Sequence, residues 1–333
     1  MMRCAFYTRT GPAGDVLQIG ERPDPVAGTG EVLVRVRASG INPADVKRRA
    51  GWNGMAMQHP LVIPHCDGAG EIVAVGDGAD PSRIGDRVWM WNAQGGYGSA
   101  GRAFGTAAEL IALPAEQAVT LPDEMSFEAG ACLGVPAMTA YRAVFADGSV
   151  EGQTVLVAGA AGAVGHCAVQ MAKAGGAWVI GTVSNARAAE HARAGGADEI
   201  VDRRQENVAA RILELTAGKG VDRVVEVDFG ANHAIDIAVL KVNGTIASYS
   251  STSDPKPVLD YYAFANKGAN LRVIQGFAIP KAERLEGELR IAELAAQGDL
   301  RVAIARTFPL EDIADAHRAV EAGGNLGNVV VTL

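Results

Sequence analysis

The sequence predicts an α/β protein in which a doubly wound parallel-sheet domain is inserted into a mainly β domain. Residues 154–173, TVLVAGAAGAVGHCAVQMAK, read as strand, glycine turn and helix in immediate succession. Residues 31–38, EVLVRVRA, alternate apolar and polar, the period of a half-buried antiparallel strand. After Phe127 helical and strand patterns alternate, as a sheet covered on both faces requires.

Before Pro122 β signals dominate: besides 31–38, short strands are expected at 71–75 and 85–91, with turn clusters at 23–29 and 95–101. Beyond the glycine turn, strands are expected at 177–183, 223–227, 245–248 and 271–277. The tail returns to a helix over 283–296, a helical PLEDIADAHRAVE segment and a last strand over 328–333. The boundaries this implies are 1–130 plus 278–333 for the mainly β domain and 131–277 for the inserted one.

The glycine turn points to a nucleotide pyrophosphate. Gly159 permits a tight turn, Gly162 lets the backbone approach a diphosphate, and Gly165 lets the helix pack on the sheet, with free N–H groups at the helix start. A glycine-rich turn without a ligand is the competing reading. About 20 residues on, an Asp or Glu would grip a ribose 2′-hydroxyl, but the chain has Val183, Ser184, Asn185 and Arg187 there. Hydroxyl, amide and guanidinium groups suit a 2′-phosphate, so NADPH is expected over NADH, with Arg187 as an ordinary solvated residue the alternative.

With 333 residues, 48% hydrophobic and 20% charged, the chain is long enough for two cores. Its 38 acidic against 30 basic residues argue against a nucleic-acid or anionic-membrane partner. The N-terminal residues lack an apolar leader pattern and no apolar 18-mer occurs, which predicts a cytoplasmic protein. Cys4, Cys66, Cys132 and Cys167 stand too far apart to suggest a disulfide framework or a cysteine zinc module.

Over nearly its whole length the chain resembles the zinc-free medium-chain dehydrogenases/reductases of the quinone oxidoreductase, or zeta-crystallin, type. The resemblance rests on GEVLVRVRASGINPADVKRRAG at 30–51, DGAGEIVAVGDG at 67–78, GDRV at 85–88, ACLGVPAMTAYRAV at 131–144, the glycine turn, and LEDIADAHRAVEAGGNLGNVVV at the end. It implies a Rossmann dinucleotide-binding domain inserted in a GroES-like catalytic domain. Zinc enzymes of that superfamily hold catalytic zinc by a cysteine, a histidine and a second cysteine. The matching positions here are Asn42, Cys66 and Val135, a set that cannot hold zinc, and residues 88–114 lack the cysteines of the structural zinc lobe. No metal site is therefore expected. The adjacent His65, Cys66 and Asp67 look metal-like, but neighbouring side chains rarely converge on one ion.

The resemblance implies that Asn42 lies beside the nicotinamide or the acceptor oxygen, and that Asp45 is its partner, fixing the amide or a water or else pairing structurally with Arg49. His65 stands where relatives usually have glycine, and its imidazole is expected either in the cleft, orienting substrate or donating a proton, or packed away. The proton donor stays open among Asp45, His65, Tyr97 and bulk water. The resemblance further implies that Thr139 approaches the nicotinamide ribose, Ala163 and Val164 lie on the pyrophosphate turn, and Lys173 meets the 2′-phosphate. Phe277, Asn325 and Asn328 complete the expected cofactor contacts, with Asn328 replacing a common lysine. Trp52, Trp89, Trp91 and Tyr97 are candidates for an apolar acceptor pocket, with core packing the competing role for the tryptophans. His317 is expected to pack within its helix.

The function these observations predict is zinc-independent hydride transfer from NADPH to a quinone or α,β-unsaturated carbonyl, small electrophiles that need no metal to accept hydride. One alternative is another acceptor such as an enoyl thioester, which Arg48 and Arg49 could serve. The other is a non-enzymatic NADPH-binding protein with a structural or RNA-binding role, which the negative charge disfavours. A homodimer is expected through an apolar edge at 271–277.

Overall fold

The computed structural model describes residues 1–94 and 102–333, and the chain divides into two units, 1–136 with 302–333 and 137–301. The first unit begins with β1 (Met2–Phe6), α1 (Ala13–Val16) and β2 (Gln18–Arg22), with β1 and β2 paired antiparallel. Then come β3 (Glu31–Ile41), α2 (Pro43–Ala50), β4 (Asp67–Val75), β5 (Arg87–Met90), β6 (Leu110–Pro114), β7 (Ala118–Thr120) and α3 (Phe127–Gly130).

The second unit comprises α4 (Met138–Phe145), β8 (Thr154–Val157), α5 (Ala163–Ala174), β9 (Trp178–Val183), α6 (Ala186–Ala194), β10 (Glu199–Asp202) and α7 (Val208–Leu215). It continues through β11 (Val221–Glu226), α8 (Phe229–Val239), β12 (Leu240–Ser248), α9 (Tyr261–Lys267), β13 (Asn270–Val273) and α10 (Lys281–Gln297). The chain then returns to the first unit with β14 (Ile304–Pro309), α11 (Ile313–Ala322) and β15 (Asn328–Thr332).

In the first unit one sheet runs β14-β15-β3-β4-β5-β7, with β6 also on β3. Strand β3 is its spine, and the alternation read from sequence is real: Val32, Val34 and Val36 are buried, whereas Arg35 and Arg37 are exposed. The three valines pack with Ile72, Val88, Met90, Ile111 and Leu113, each full burial stabilising by roughly 1.5–3 kcal/mol. A second core joins Cys4, Phe6, Ile41, Val46, Ile63, Ile313 and Val329, and so fastens α2 and α11 to the sheet. That fastening fixes the start of α2, where Asn42 sits.

The second unit is a parallel sheet of order β10-β9-β8-β11-β12-β13, which numbered from β8 along the chain is 3-2-1-4-5-6. This is the doubly wound order, with the reversal between β8 and β11. Val155, Val157, Val179, Ile180, Val224 and Val225 are buried, as both faces carry helices. Strand β10 was not read from the sequence, because EIVD is short and flanked by charge. The expected strand over 271–277 stops at Val273. The second domain boundary also differs from 277/278: α10 belongs to the inserted unit because it lies on α4. A Cβ on Gly287 would stand 2.8 Å from Met138 Sδ, and Glu283 pairs with Arg142.

Candidate functional site

In the first unit the site is organised by the start of α2. Proline at the first helical position and a capping box define that start: Asn42 N–H donates to Asp45 Oδ2 at 2.8 Å, and the Asn42 side chain accepts from the Asp45 N–H. Gly51, at φ 73°, ends the helix in the left-handed region. Asp45 is thus a helix cap, and its expected pairing with Arg49 does not occur. Arg49 instead donates to Gly11 C=O and pairs with Glu321, its side chain buried.

Two of the three positions matched to zinc ligands, Asn42 and Val135, bind a fourth residue, Asp67. Asn42 Nδ2 donates to Asp67 Oδ2 at 2.8 Å, and Val135 N–H donates to the same oxygen at 2.7 Å. A side chain on Gly134 would overlap Asp67 Oδ1, so glycine there is what admits the carboxyl group. Burial pushes the Asp67 pKa up to about 8, against the pull of the Val135 N–H. At neutral pH burial thus favours the protonated form of the group. Burial likewise raises the Cys66 thiol well above its ordinary value. One thiol beside an amide bound to a carboxyl group and a valine that offers only a backbone N–H does not make the three-ligand donor set zinc requires.

His65 does not enter an open cleft: it is fully buried, at φ 79°. Its Nδ1 lies 2.7 Å from Ser39 Oγ, which lies 2.7 Å from Thr106 Oγ1, and Thr106 donates to Asp67 C=O at 2.6 Å. Its Nε2 lies 2.9 Å from His317 Nε2. These partners fix the protons. The Thr106 hydroxyl hydrogen goes to a carbonyl, so Ser39 donates to Thr106, His65 Nδ1–H donates to Ser39, and His317 Nε2–H donates to His65. Burial lowers the His65 pKa to about 3, so it is a neutral structural group and not a proton donor at neutral pH.

The other first-unit expectations divide. Trp89 is 1% exposed, a core residue that cannot line a pocket, while Trp91 and Trp52 are partly buried, Trp52 under the Lys47 ammonium at 4.7 Å. Tyr97 lies outside the described residues. Asn325 Nδ2 donates to Ala319 C=O at 2.7 Å and Asn328 Nδ2 to Ala303 C=O at 3.0 Å, so both amides brace their own loop. With Arg49 buried and Arg48 on Gln94 Oε1 at 3.3 Å, the arginines proposed for a thioester phosphate are engaged within the unit.

In the second unit the glycine turn has the anatomy of a phosphate cradle. Gly159 has φ +66°, and a side chain on Gly165 would overlap the Gly159 carbonyl, so both are dictated by the chain itself. Gly162 is not: its φ is −77°, and a Cβ would meet only Gly159 O at 3.5 Å. The open space beside Gly162, at the uncapped start of α5 with Ala163 and Val164 in the first turn, suits a diphosphate. Thr182 anchors the turn through Oγ1 to Gly159 N–H at 3.1 Å and its carbonyl to Ala160 N–H at 3.0 Å.

Lys173 is a correction. It lies in the last turn of α5, about 15 Å along the axis from the glycine turn, and its Nζ binds both oxygens of Asp198 at 2.8 and 2.9 Å. Asn185 caps α6 by accepting from Ala188 N–H at 2.9 Å, while Ser184 and Arg187 stand exposed or partly exposed at the end of β9. Thr139 Oγ1 lies beside Gly276, where a Cβ would stand 3.2 Å away, and Phe277 follows in that loop. One cluster had no sequence signal: Glu226 ends β11 fully buried, accepts from Asn232 Nδ2 at 2.9 Å and from Asp228 N–H, and faces the buried Asp236. Burial raises both carboxyls, so the pair holds a proton. Among the described residues no group of three His, Cys, Asp or Glu side chains could hold a metal, and no helix is long and apolar enough to cross a membrane.

Comparison with known proteins agrees with both units. Residues 28–123 match the alcohol dehydrogenase GroES-like domain and residues 195–331 the zinc-binding dehydrogenase family. The chain is 30% identical to the human quinone oxidoreductase across 93% of its length and 91% of that protein. The chain belongs to the medium-chain dehydrogenase/reductase superfamily, quinone oxidoreductase type. It superposes on mycobacterial Rv1454c, solved with NADPH, with a TM-score of 0.85, 28% identity and full coverage of both chains. It also superposes on an NAD-dependent alcohol dehydrogenase with a TM-score of 0.89, 27% identity and full coverage of both. Membership makes the chain an NAD(P)-dependent oxidoreductase and leaves cofactor choice to its own residues.

Proposed function

We propose that this protein is a zinc-independent, NADPH-dependent reductase of quinones or α,β-unsaturated carbonyls. The observation that carries the reading is the replacement of a metal donor set by a hydrogen-bonded knot, in which Asn42 Nδ2 and the Val135 N–H both donate to Asp67 Oδ2. Without a Lewis acid to stabilise an alkoxide, the favoured acceptor is one already electrophilic. The residues of the glycine turn fit the cofactor's diphosphate, and the carboxylate-free end of β9 fits a 2′-phosphate. NADPH, when bound, supplies hydride from its nicotinamide.

The protein's own part is binding, orientation and proton placement. Asp67, through Oδ2, and the Asp45 N–H hold the Asn42 amide in one orientation. That leaves the second Asn42 amide hydrogen available to a carbonyl or quinone oxygen. His65 is excluded as proton source by its hydrogen bonds on both nitrogens, and solvent water supplies the one proton that completes reduction after hydride transfer. Asn42→Ala is expected to lower kcat with a quinone or enone by about tenfold or more while cofactor affinity, read by NADPH fluorescence titration, stays unchanged. Full retention of kcat would remove Asn42 from the site.

We further propose that the protein works as a cytoplasmic homodimer, joined along the edge strand β13.

A further inference from the structure

In a doubly wound sheet the ligand crevice opens where the strand order reverses, here between the ends of β8 and β11. Strand β8 leads into the glycine turn. Strand β11 leads into a turn of Glu226, Val227 and Asp228, and the two turns touch. A Cβ on Gly159 would stand 3.3 Å from the Val227 side chain, and Ala158 N–H donates to Val225 C=O at 2.9 Å. Val227 is thus a wall against which the glycine turn rests.

That wall is held by a buried carboxyl pair. Glu226 Oε1 accepts from Asn232 Nδ2 at 2.9 Å and from Asp228 N–H, which ties the two flanks of Val227 together. Asp228 Oδ1 accepts from Ser253 N–H at 3.1 Å and from Ser253 Oγ at 2.9 Å, and Tyr249 N–H donates to Glu226 C=O at 3.1 Å. The segment after β12 is therefore fastened to the same turn. Glu226 Oε2 and Asp236 Oδ2 remain, both buried and with no donor group to serve them. The titratable groups around the pair are Asp228 in the turn, Tyr249 after β12 and, behind Tyr249, Cys167 on α5; none of them is a cation. A shared proton is what lets two carboxyls lie together here, because two buried charges of one sign repel.

We propose that Glu226 and Asp236 are positioning residues for the dinucleotide: while they share a proton they set Val227 against the glycine turn, and loss of that proton releases the turn and weakens binding. The proposal rests on the glycine turn as the dinucleotide site and is independent of the choice between NADPH and NADH. Burial raises both carboxyls, so the proton is kept above the ordinary carboxylate range and is lost as pH rises through the raised value.

The test is fluorescence titration of the full-length protein with NADPH and with NADH between about pH 7 and 9.5, a window above the second ionisation of a phosphate near 6. Wild type, Asp236→Asn and Glu226→Gln are compared. In Asp236→Asn an amide donates to Glu226 at every pH, and in Glu226→Gln an amide donates to Asp236 while its oxygen still accepts from Asn232. The wild-type dissociation constant should rise by about tenfold or more across the window, and both variants should lose that rise. A wild type whose affinity holds across the window contradicts the proposal without either variant, and so does a rise of equal size in the variants. If neither cofactor binds at pH 7, the glycine-turn reading itself fails, and this assignment with it.

Discussion

The buried chain from His317 through His65, Ser39 and Thr106 to the Asp67 carbonyl shows how one unusual residue is retained. A histidine at φ 79° is strained, and hydrogen bonds on both ring nitrogens hold it there. In sequence His65 was visible only as a departure from glycine, which could mean chemistry or packing. Its partners lie 26 and 252 residues away, so no local pattern could decide. Asp67 was equally opaque, since its value to Asn42 depends on Gly134 making room. The histidines carry a pH signature. Burial lowers His65 to about 3 and His317 well below its ordinary value, the latter with Arg49 also repelling its charge, whereas the unfolded chain titrates near 6.5. Below pH 6.5 the unfolded state binds more protons, so the stability present above 6.5 falls as pH drops toward 3. At pH 5 neutral His65 accounts for about 2 kcal/mol of that fall. Asp67, raised to about 8, works in the opposite sense, losing stability as pH rises through that value. Comparing variants isolates the histidine effect. His317→Gln keeps an N–H for His65 but cannot titrate, so its melting temperature should fall less than that of the wild type between pH 7 and 5. Parallel melting curves would contradict the assignment.

At the scale of elements, β3, the β8-turn-α5 segment and β9 were legible because period, glycine spacing and β-branched runs all agree there. The helix α10 was legible as a helix but not as a member of the inserted unit. Its attachment depends on Gly287 meeting Met138 and Tyr141, a contact across 146 and 149 residues' separation at the level of sequence numbers. Strand β10 escaped because its four residues carry two acids. The sheet edge β13 bears on assembly. Val273 is 77% exposed, and Tyr261 and Tyr262 on α9 are each 73% exposed, an apolar margin beside unpaired strand groups. An unguarded edge of this kind invites pairing with a second copy about a twofold axis. Light scattering should give the mass of a dimer for the wild type and a shift toward monomer for Val273→Asp. A monomeric wild type would contradict the edge-to-edge account.

For the whole molecule, the chain order explains why so much could be read early. An inserted doubly wound unit and a surrounding β unit each have their own core and their own residue pattern, so each announces itself separately. The proposed function divides the same way: the inserted unit carries the glycine turn proposed for the diphosphate, and the β unit carries the hydrogen-bonded group of Asn42, Asp67 and Val135. The central claim is that hydride transfer here needs NADPH and no zinc. It is tested most directly by the initial rate of NADPH oxidation with a quinone acceptor in protein exhaustively treated with a chelator, with NADH measured alongside. The account predicts turnover with NADPH that added zinc does not raise, and at least about tenfold lower kcat/KM with NADH. Turnover that appears only when zinc is restored would contradict it.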